Sequence, residues 1–427
     1  MRLILPEPSS TITLRLARDL VRVLKRGNPW IFREALRSCP DAPPGTPAVL
    51  LDNKRGRPVA RGFYDPASPL AFRACEVDDP DRPLDDAWAA SRFESAWQLR
   101  KRLFAGDTDG QKGVRNLCQF QTKVPDTFLS APARTTAFRL FNGEGDGLPG
   151  LVVDLYETTA VLKLDGAGPS GFWDAAGIGR WLATEVGVGS VVERPRERGE
   201  DARTLLGPPP PGPVSFLENS VQFTADVIRG QKTGFFLDQR DNRQLIRRFA
   251  AGQTVLNLFG YTGGFSIYAG CGGASHVTTV DLAEPAIETA NDHWRLNELP
   301  SDRHTGIVAD VFDFLADARG RSQQWDLVIS DPPSFAPSKA SLDKALGSYQ
   351  GLATACASVT SPHGILALAS CSSHVDLPTF LNVIEEGIAA ARHRATVLAL
   401  HSQPPDHPTP LALPAFRYLK FVLMRID

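Results

Sequence analysis

The sequence predicts an α/β chain whose last two hundred residues form a doubly wound parallel sheet, preceded by a small β module and a middle α/β module. Three observations lead to this. After Phe216, five short apolar runs of buried-strand length alternate with helical stretches. The first run opens into a glycine-rich turn, and an acid, Asp281, stands at the end of the second. The first seventy-five residues differ from the rest in charge and in their strand-like alternation. At 427 residues the chain is too long for one ordinary core, and 42% hydrophobic residues is too apolar for disorder. Gly 36 and Pro 34 are scattered without period, which excludes a collagen-like or low-complexity chain.

The first module spans residues 1–75. Strands are expected near Thr11 to Leu16, Ala48 to Asp52 and Pro58 to Tyr64, with a turn at Gly27-Asn28-Pro29-Trp30. It holds thirteen Lys and Arg against six acids, an excess of seven that the whole-chain charge of −2 conceals. That total excludes a uniformly polybasic nucleic-acid binder but not a local basic surface. Exposed Arg on a compact β module suits a small RNA-binding barrel; the alternative is a charged, solvated face.

The middle module, 76–206, begins with a helical pattern from Pro80 to about Phe120, in which Trp88, Phe93, Trp97 and Leu103 interleave with Arg92, Arg100, Lys101 and Arg102. Gly143, Gly145, Gly147 and Gly150 then mark tight turns before strands at Leu151 to Leu155 and Val161 to Leu164. A helix at Trp173 to Val186, a strand at Ser190 to Glu193 and a surface loop at Gly207 to Pro213 complete it.

The third module, 207–427, carries strands at 254–259, 276–280, 306–310, 326–330 and 364–370. Ligands of such sheets bind at the carboxyl ends of the strands, and the chemically suggestive residues lie there. In Asn257-Leu-Phe-Gly-Tyr-Thr-Gly-Gly-Phe265 the glycines let a nucleotide-like ligand approach the backbone, and Asp281 is placed to accept hydrogen bonds from ribose hydroxyls. The spacing is not G-x-G-x-x-G, which disfavours a nicotinamide cofactor. Asp331-Pro332-Pro333-Ser334-Phe335 ends the fourth strand: the prolines stiffen the turn, Asp331 is aimed into a cleft, and Phe335 offers a ring for a base. Cys371 follows the fifth strand, where a thiolate could add to C6 of a pyrimidine and make C5 nucleophilic. Close packing of the glycine turn and an inert buried thiol are the alternatives. The six cysteines (Cys39, Cys75, Cys118, Cys271, Cys356 and Cys371) form no C-x-x-C pair, so neither a disulfide framework nor a metal is expected. No run of about eighteen apolar residues occurs, and a soluble, reduced, cytoplasmic protein without membrane contact is expected.

Together these residues resemble the bacterial family of large-subunit (23S) ribosomal RNA cytosine-5 methyltransferases that carry an N-terminal PUA domain. The most specific segments are GQKTGFFLDQRDNR (230–243), LNLFGYTGGFS (256–266), SDPPSF (330–335) and SCS (370–372), with NPWIF, ARGFYDPAS, GEGDGLPGLVVD, DHP and YLK as looser matches. The resemblance implies a class I Rossmann-like methyltransferase fold, S-adenosyl-L-methionine as cofactor and large-subunit ribosomal RNA as partner; it leaves a homodimer open. It implies that Phe235, Asp238, Arg240, Asn257, Phe259, Tyr261, Thr262, Gly263, Gly264 and Phe265 lie about the cofactor, with Asp281 on the ribose, Asp310 on the adenine amine, and Asp331 and Pro332 beside the transferred methyl. Thr233 joins this neighbourhood. Lys232, Pro333, Ser334, Phe335, Arg26 and Trp30 are implied on the RNA side, and Cys371 and Asp331 as the catalytic pair. The family often has Lys where Ser334 stands, and Gly where Ser373 precedes His374; both departures fall on the target-base side. Methylation of a base nitrogen, which needs no cysteine, is the nearest rival. A non-catalytic assembly factor and a small-molecule methyltransferase are weaker alternatives.

Overall fold

A computed structural model describes residues 1–6, 11–104, 134–195, 201–336 and 339–427. Cys118 and the end of the helical pattern expected to reach Phe120 lie outside them. Three larger sheets follow one another along the chain, with a hairpin between the second and third.

The first sheet contains Ile12–Arg15, Thr46–Leu51, Pro58–Tyr64, Phe72–Glu76 and the short Trp30–Ile31, in that spatial order. Leu14, Leu50, Tyr64 and Phe72 build its core. Arg22, Lys25 and Arg26 stay exposed on the short helix Val21–Lys25 and its end.

Helix Asp86–Phe104 packs on the second sheet through Trp88, Ala89, Phe93 and Ala96, which recur at helical spacing, with Phe93 stacked on Phe141 at 4.8 Å. Leu103 is exposed instead. The helix expected at Trp173 to Val186 starts two residues later, at Ala175, and runs as α-helix to Trp181 and as a π-helical turn over Leu182–Val186. Trp173 is extended after helix Ala167–Phe172, and Asp174 caps a new helix, Ala175–Trp181, by accepting from the Gly177 amide at 2.9 Å.

Ion pairs from Arg73 join the first two sheets, one to the buried Glu144 and one to the exposed Asp165. Arg73 donates to Glu144 (2.6 Å) and Asp165 (2.8 Å), and the Trp30 indole N–H donates to Glu144 (2.8 Å). Trp30, Phe32 and Arg73 line an interdomain cleft of about 980 Å³. None of these three lines the cavity containing Asp331 and Cys371. Within that cleft the polar edge of Trp30 is committed to Glu144, and its ring meets Phe416 edge-on at 5.7 Å.

The third sheet runs His304–Val308, His276–Asp281, Thr254–Leu258, Trp325–Ser330, Thr360–Ser370, Lys420–Ile426 and Ala395–His401 across its width. The first five are parallel, and the last two are an antiparallel addition that the sequence reading did not contain. Apolar clusters cover both faces, so the sheet is doubly wound as expected. The order reverses between Thr254–Leu258 and Trp325–Ser330, which opens a crevice at their carboxyl ends.

Candidate active site

A cavity of about 310 Å³ occupies that crevice. One wall is the turn after Leu258. Phe259 (φ 54°) and Tyr261 (φ 45°) hold left-handed backbone conformations that side chains rarely adopt, a strain that concentrates at functional sites. A Cβ on Gly260 would meet Thr279 Cγ2 at 2.5 Å, so only glycine fits. Phe259, Gly260, Tyr261, Thr262, Gly264 and Phe265 line the cavity. Gly263 does not: it is the left-handed cap of helix Gly264–Cys271, and a Cβ there would press on Ala290 at 2.8 Å. Asn257 is also behind the wall, where its amide donates to Ser266 at 2.8 Å.

Two carboxylates follow on neighbouring strands. Asp281 accepts from the amides of Tyr261 (2.8 Å) and Ala283 (3.0 Å), so it fixes the turn while facing the cavity. Asp310 caps helix Val311–Gly320 through one oxygen, accepting from Phe312 N at 2.8 Å, and also lines the cavity. Leu282, 71% exposed, lies at the same end.

The opposite wall is the GQKTGFFLDQR segment. Thr233 donates to Asp154 (2.6 Å), and the Phe235 amide donates to the Tyr156 hydroxyl (3.1 Å), so the second sheet braces this wall. Lys232 (φ 52°) donates to Asp238 at 2.6 Å with its ammonium 4.3 Å from the Phe236 ring centre. Burial pushes Asp238 up, but Lys232, His407 and the Tyr418 hydroxyl outweigh it and hold the carboxyl well below the usual range. Lys232, Phe235 and Asp238 line the cavity. Arg240 does not, contrary to its expected cofactor role. Its guanidinium is turned onto Asp406 at 2.8 and 3.0 Å, and the pair is buried.

At the deep end, Asp331, Pro332, Pro333 and Cys371 share the lining. Burial, with Asp238 adding repulsion, raises Asp331 to about 6, while Gln239 donates to it at 2.8 Å. Burial followed by Asp331 pushes the Cys371 thiol up to about 11. Ser334 and Phe335 depart from their expected places facing a base. The Ser334 hydroxyl pairs with Ser372 at 2.9 Å, and Phe335 packs on Tyr349 with centroids 4.9 Å apart, because the turn folds back over helix Leu342–Ser358. His374 is exposed and outside the lining.

Sequence reading missed Gln239, Arg243 and Leu419 in the lining, and Tyr418 and Lys420 just behind it. Gln239 and Arg243 lay inside the segment singled out, but their partners, Asp331 and Glu218, are remote in the chain. Two buried polar atoms, Asp238 Oδ1 and Thr262 Oγ1, have no hydrogen-bond partner among the described residues, and both belong to lining residues. Open acceptors, a glycine turn and ribose-spaced acids fit a polar, nucleoside-bearing cofactor.

Comparison with known proteins agrees with that fit. Residues 176–421 match the family described as S-adenosylmethionine-dependent methyltransferase, and residues 14–75 match a PUA-like domain. A ribosomal RNA large subunit methyltransferase of Deinococcus radiodurans is 35% identical, over 97% of this chain and 98% of its own. Ribosomal RNA large subunit methyltransferase I of Photobacterium profundum is 33% identical over 96% and 98%. A solved chain from Streptococcus mutans, a candidate SAM-dependent methyltransferase, shares the fold with a TM-score of 0.78 at 24% identity, over 97% of this chain and 100% of that one. The protein is thus an enzyme that uses S-adenosylmethionine, and it belongs to the family of ribosomal RNA large subunit methyltransferases, with a PUA-like domain ahead of the S-adenosylmethionine-dependent methyltransferase domain.

Proposed function

We propose that this enzyme methylates C5 of a cytosine in large-subunit ribosomal RNA by way of a thioether adduct at C6. The observation that carries the reading is the meeting of Cys371 and Asp331, from the tips of neighbouring parallel strands, in the cavity that also contains the glycine turn. The relatives' names support the RNA class, and the exposed Arg22, Lys25 and Arg26 give the first module a basic surface for phosphates. In this reading residues 1–75 and 76–206 grip the RNA, and 207–427 perform the chemistry in the cytoplasm.

The target base must leave its stack to reach the deep end. Bound S-adenosylmethionine supplies an electrophilic methyl group on a sulfonium. Asp281 and Asp310 bind the ribose and adenine ends, and Lys232, Phe235 and Asp238 close the opposite wall. Cys371 Sγ adds to C6 as its S–H proton leaves to water, and Asp331 stabilises the protonated N3 of the adduct, so electron density gathers at C5. After methyl transfer the C5 proton passes to water in the cavity, its electron pair re-forms the C5–C6 double bond, and the C6–S bond breaks with its pair returning to Sγ as the thiolate.

Incubation with labelled S-adenosylmethionine and unmodified large-subunit RNA, followed by nucleoside mass spectrometry, tests this. The expected product is 5-methylcytidine; a methylated purine would replace the reading with base-nitrogen transfer.

A further inference from the structure

Lys420 begins the antiparallel strand beside the one that ends at Ser370, just before Cys371, and is in register with Ser370. It is 4% exposed, and its ammonium donates to the carbonyl oxygens of Ser372 (2.5 Å) and Tyr418 (2.8 Å). A lysine has three N–H donors, and no ion pair joins this one to a carboxylate among the described residues. Burying an ammonium without an anionic partner is costly, and burial lowers Lys420 to about 8 against the opposing pull of Cys371 and Asp376.

The other cations around the cavity are already neutralised. Lys232 is held by Asp238, Arg243 by Glu218 at 2.7 and 2.6 Å, and Arg240 by Asp406. Cys371 faces Asp331 and Asp238, which oppose a thiolate, and Lys232 and Lys420, which favour one. Tyr349 packs nearby but bonds to Ser370 and Ser372. Among the described residues, Lys420 is therefore the cation on this side that no carboxylate holds in an ion pair.

We propose that Lys420 is the charge partner of Cys371, a buried ammonium held by two backbone carbonyls so that it neutralises the thiolate that attacks the base. The proposal rests on the cytosine-5 reading. When the S–H bond breaks, its proton leaves to water through the cavity and the electron pair stays on Sγ, then forms the bond to C6. Lys420 keeps its proton throughout and acts as a positioning residue through its charge.

The test is the pH dependence of iodoacetamide alkylation at Cys371, followed on its own peptide by mass spectrometry in the full-length protein. Lys420→Gln can still donate to both carbonyls but carries no charge, whereas Lys420→Arg keeps the charge. The Gln variant is expected to alkylate about ten-fold more slowly at pH 7, one unit of upward shift, and the Arg variant within about three-fold of the parent. Calorimetry with S-adenosylhomocysteine checks that both variants keep their fold. A Gln variant that follows the parent profile overturns the proposal, as does an Arg variant as slow as Gln. Failure of the cytosine reading is distinguishable, because it appears as a different methylated nucleoside whatever the alkylation profile.

Discussion

The two ends of the cavity are built differently. At the glycine turn the wall is mostly backbone: left-handed Phe259 and Tyr261, Gly260 without room for a Cβ, Asp281 accepting from the Tyr261 amide of that turn and from Ala283 of its own, and Asp310 accepting from the first turn of the helix it caps. At the Cys371 end the wall holds part-buried side chains whose ionisation is displaced, with Asp331 at about 6 and Cys371 at about 11, and the buried Lys420 stands just behind it at about 8. The first end can recognise a ligand by shape and hydrogen bonds with little change of charge. The second holds groups at a charge cost, as reaction centres do, because low polarity is what shifts them.

If that division is right, substitutions at the two ends should affect different measurements. The largest effect is expected from Cys371→Ala, which should lower methyl transfer by at least about a thousand-fold while S-adenosylhomocysteine affinity stays within about two-fold. Retained transfer in a labelled-methyl assay would break the comparison at its chemical end. Next, Asp281→Ala should weaken S-adenosylhomocysteine binding by about 10- to 100-fold in calorimetry, since charged hydrogen bonds are lost and the Tyr261 amide is released. Unchanged affinity would move the cofactor away from the glycine turn.

The smallest effect concerns stability. Burial raises Asp331 from 3.8 to about 6, so between those values the folded protein keeps a proton that the unfolded chain has released. The stability from the neutral carboxyl is full below about pH 4 and is lost as pH rises through 6. Asp331→Asn removes the charge yet can still accept from Gln239, so it should be more stable than the parent by about 1–2 kcal/mol at pH 8 and about equal to it at pH 4. Denaturant melts at the two pH values measure this, and a variant less stable at pH 8 would show that the carboxylate is well solvated.

The backbone-built end was largely legible in the chain. A strand, glycines and an acid after the next strand are near one another in sequence, and the expected strand 254–259 differs from Thr254–Leu258 by one residue. Pro58–Tyr64 and Ser190–Glu193 also stand where alternation and apolar runs put them. Asn257 and Arg240 were within the right segments but are turned away, because rotamer and partner, not position, decide which way a side chain faces, and Gly263 serves the backbone as the left-handed cap of the next helix. Arg240 meets Asp406 across 166 residues, and Phe335 is drawn onto Tyr349 instead of the cavity.

By itself, then, the sequence determined the three-part α/β organisation, the order of the parallel strands along the chain and the residues at their tips, because periodicity, glycine and proline act over a few bonds. Only the tertiary structure decided that the Lys420 strand inserts next to the Cys371 strand, that Asp154 and Tyr156 of the second sheet brace Thr233 and Phe235, and that Trp30 is committed to Glu144. Those pairings depend on burial and charge between segments distant in the chain, and such partners meet only when the sheets pack.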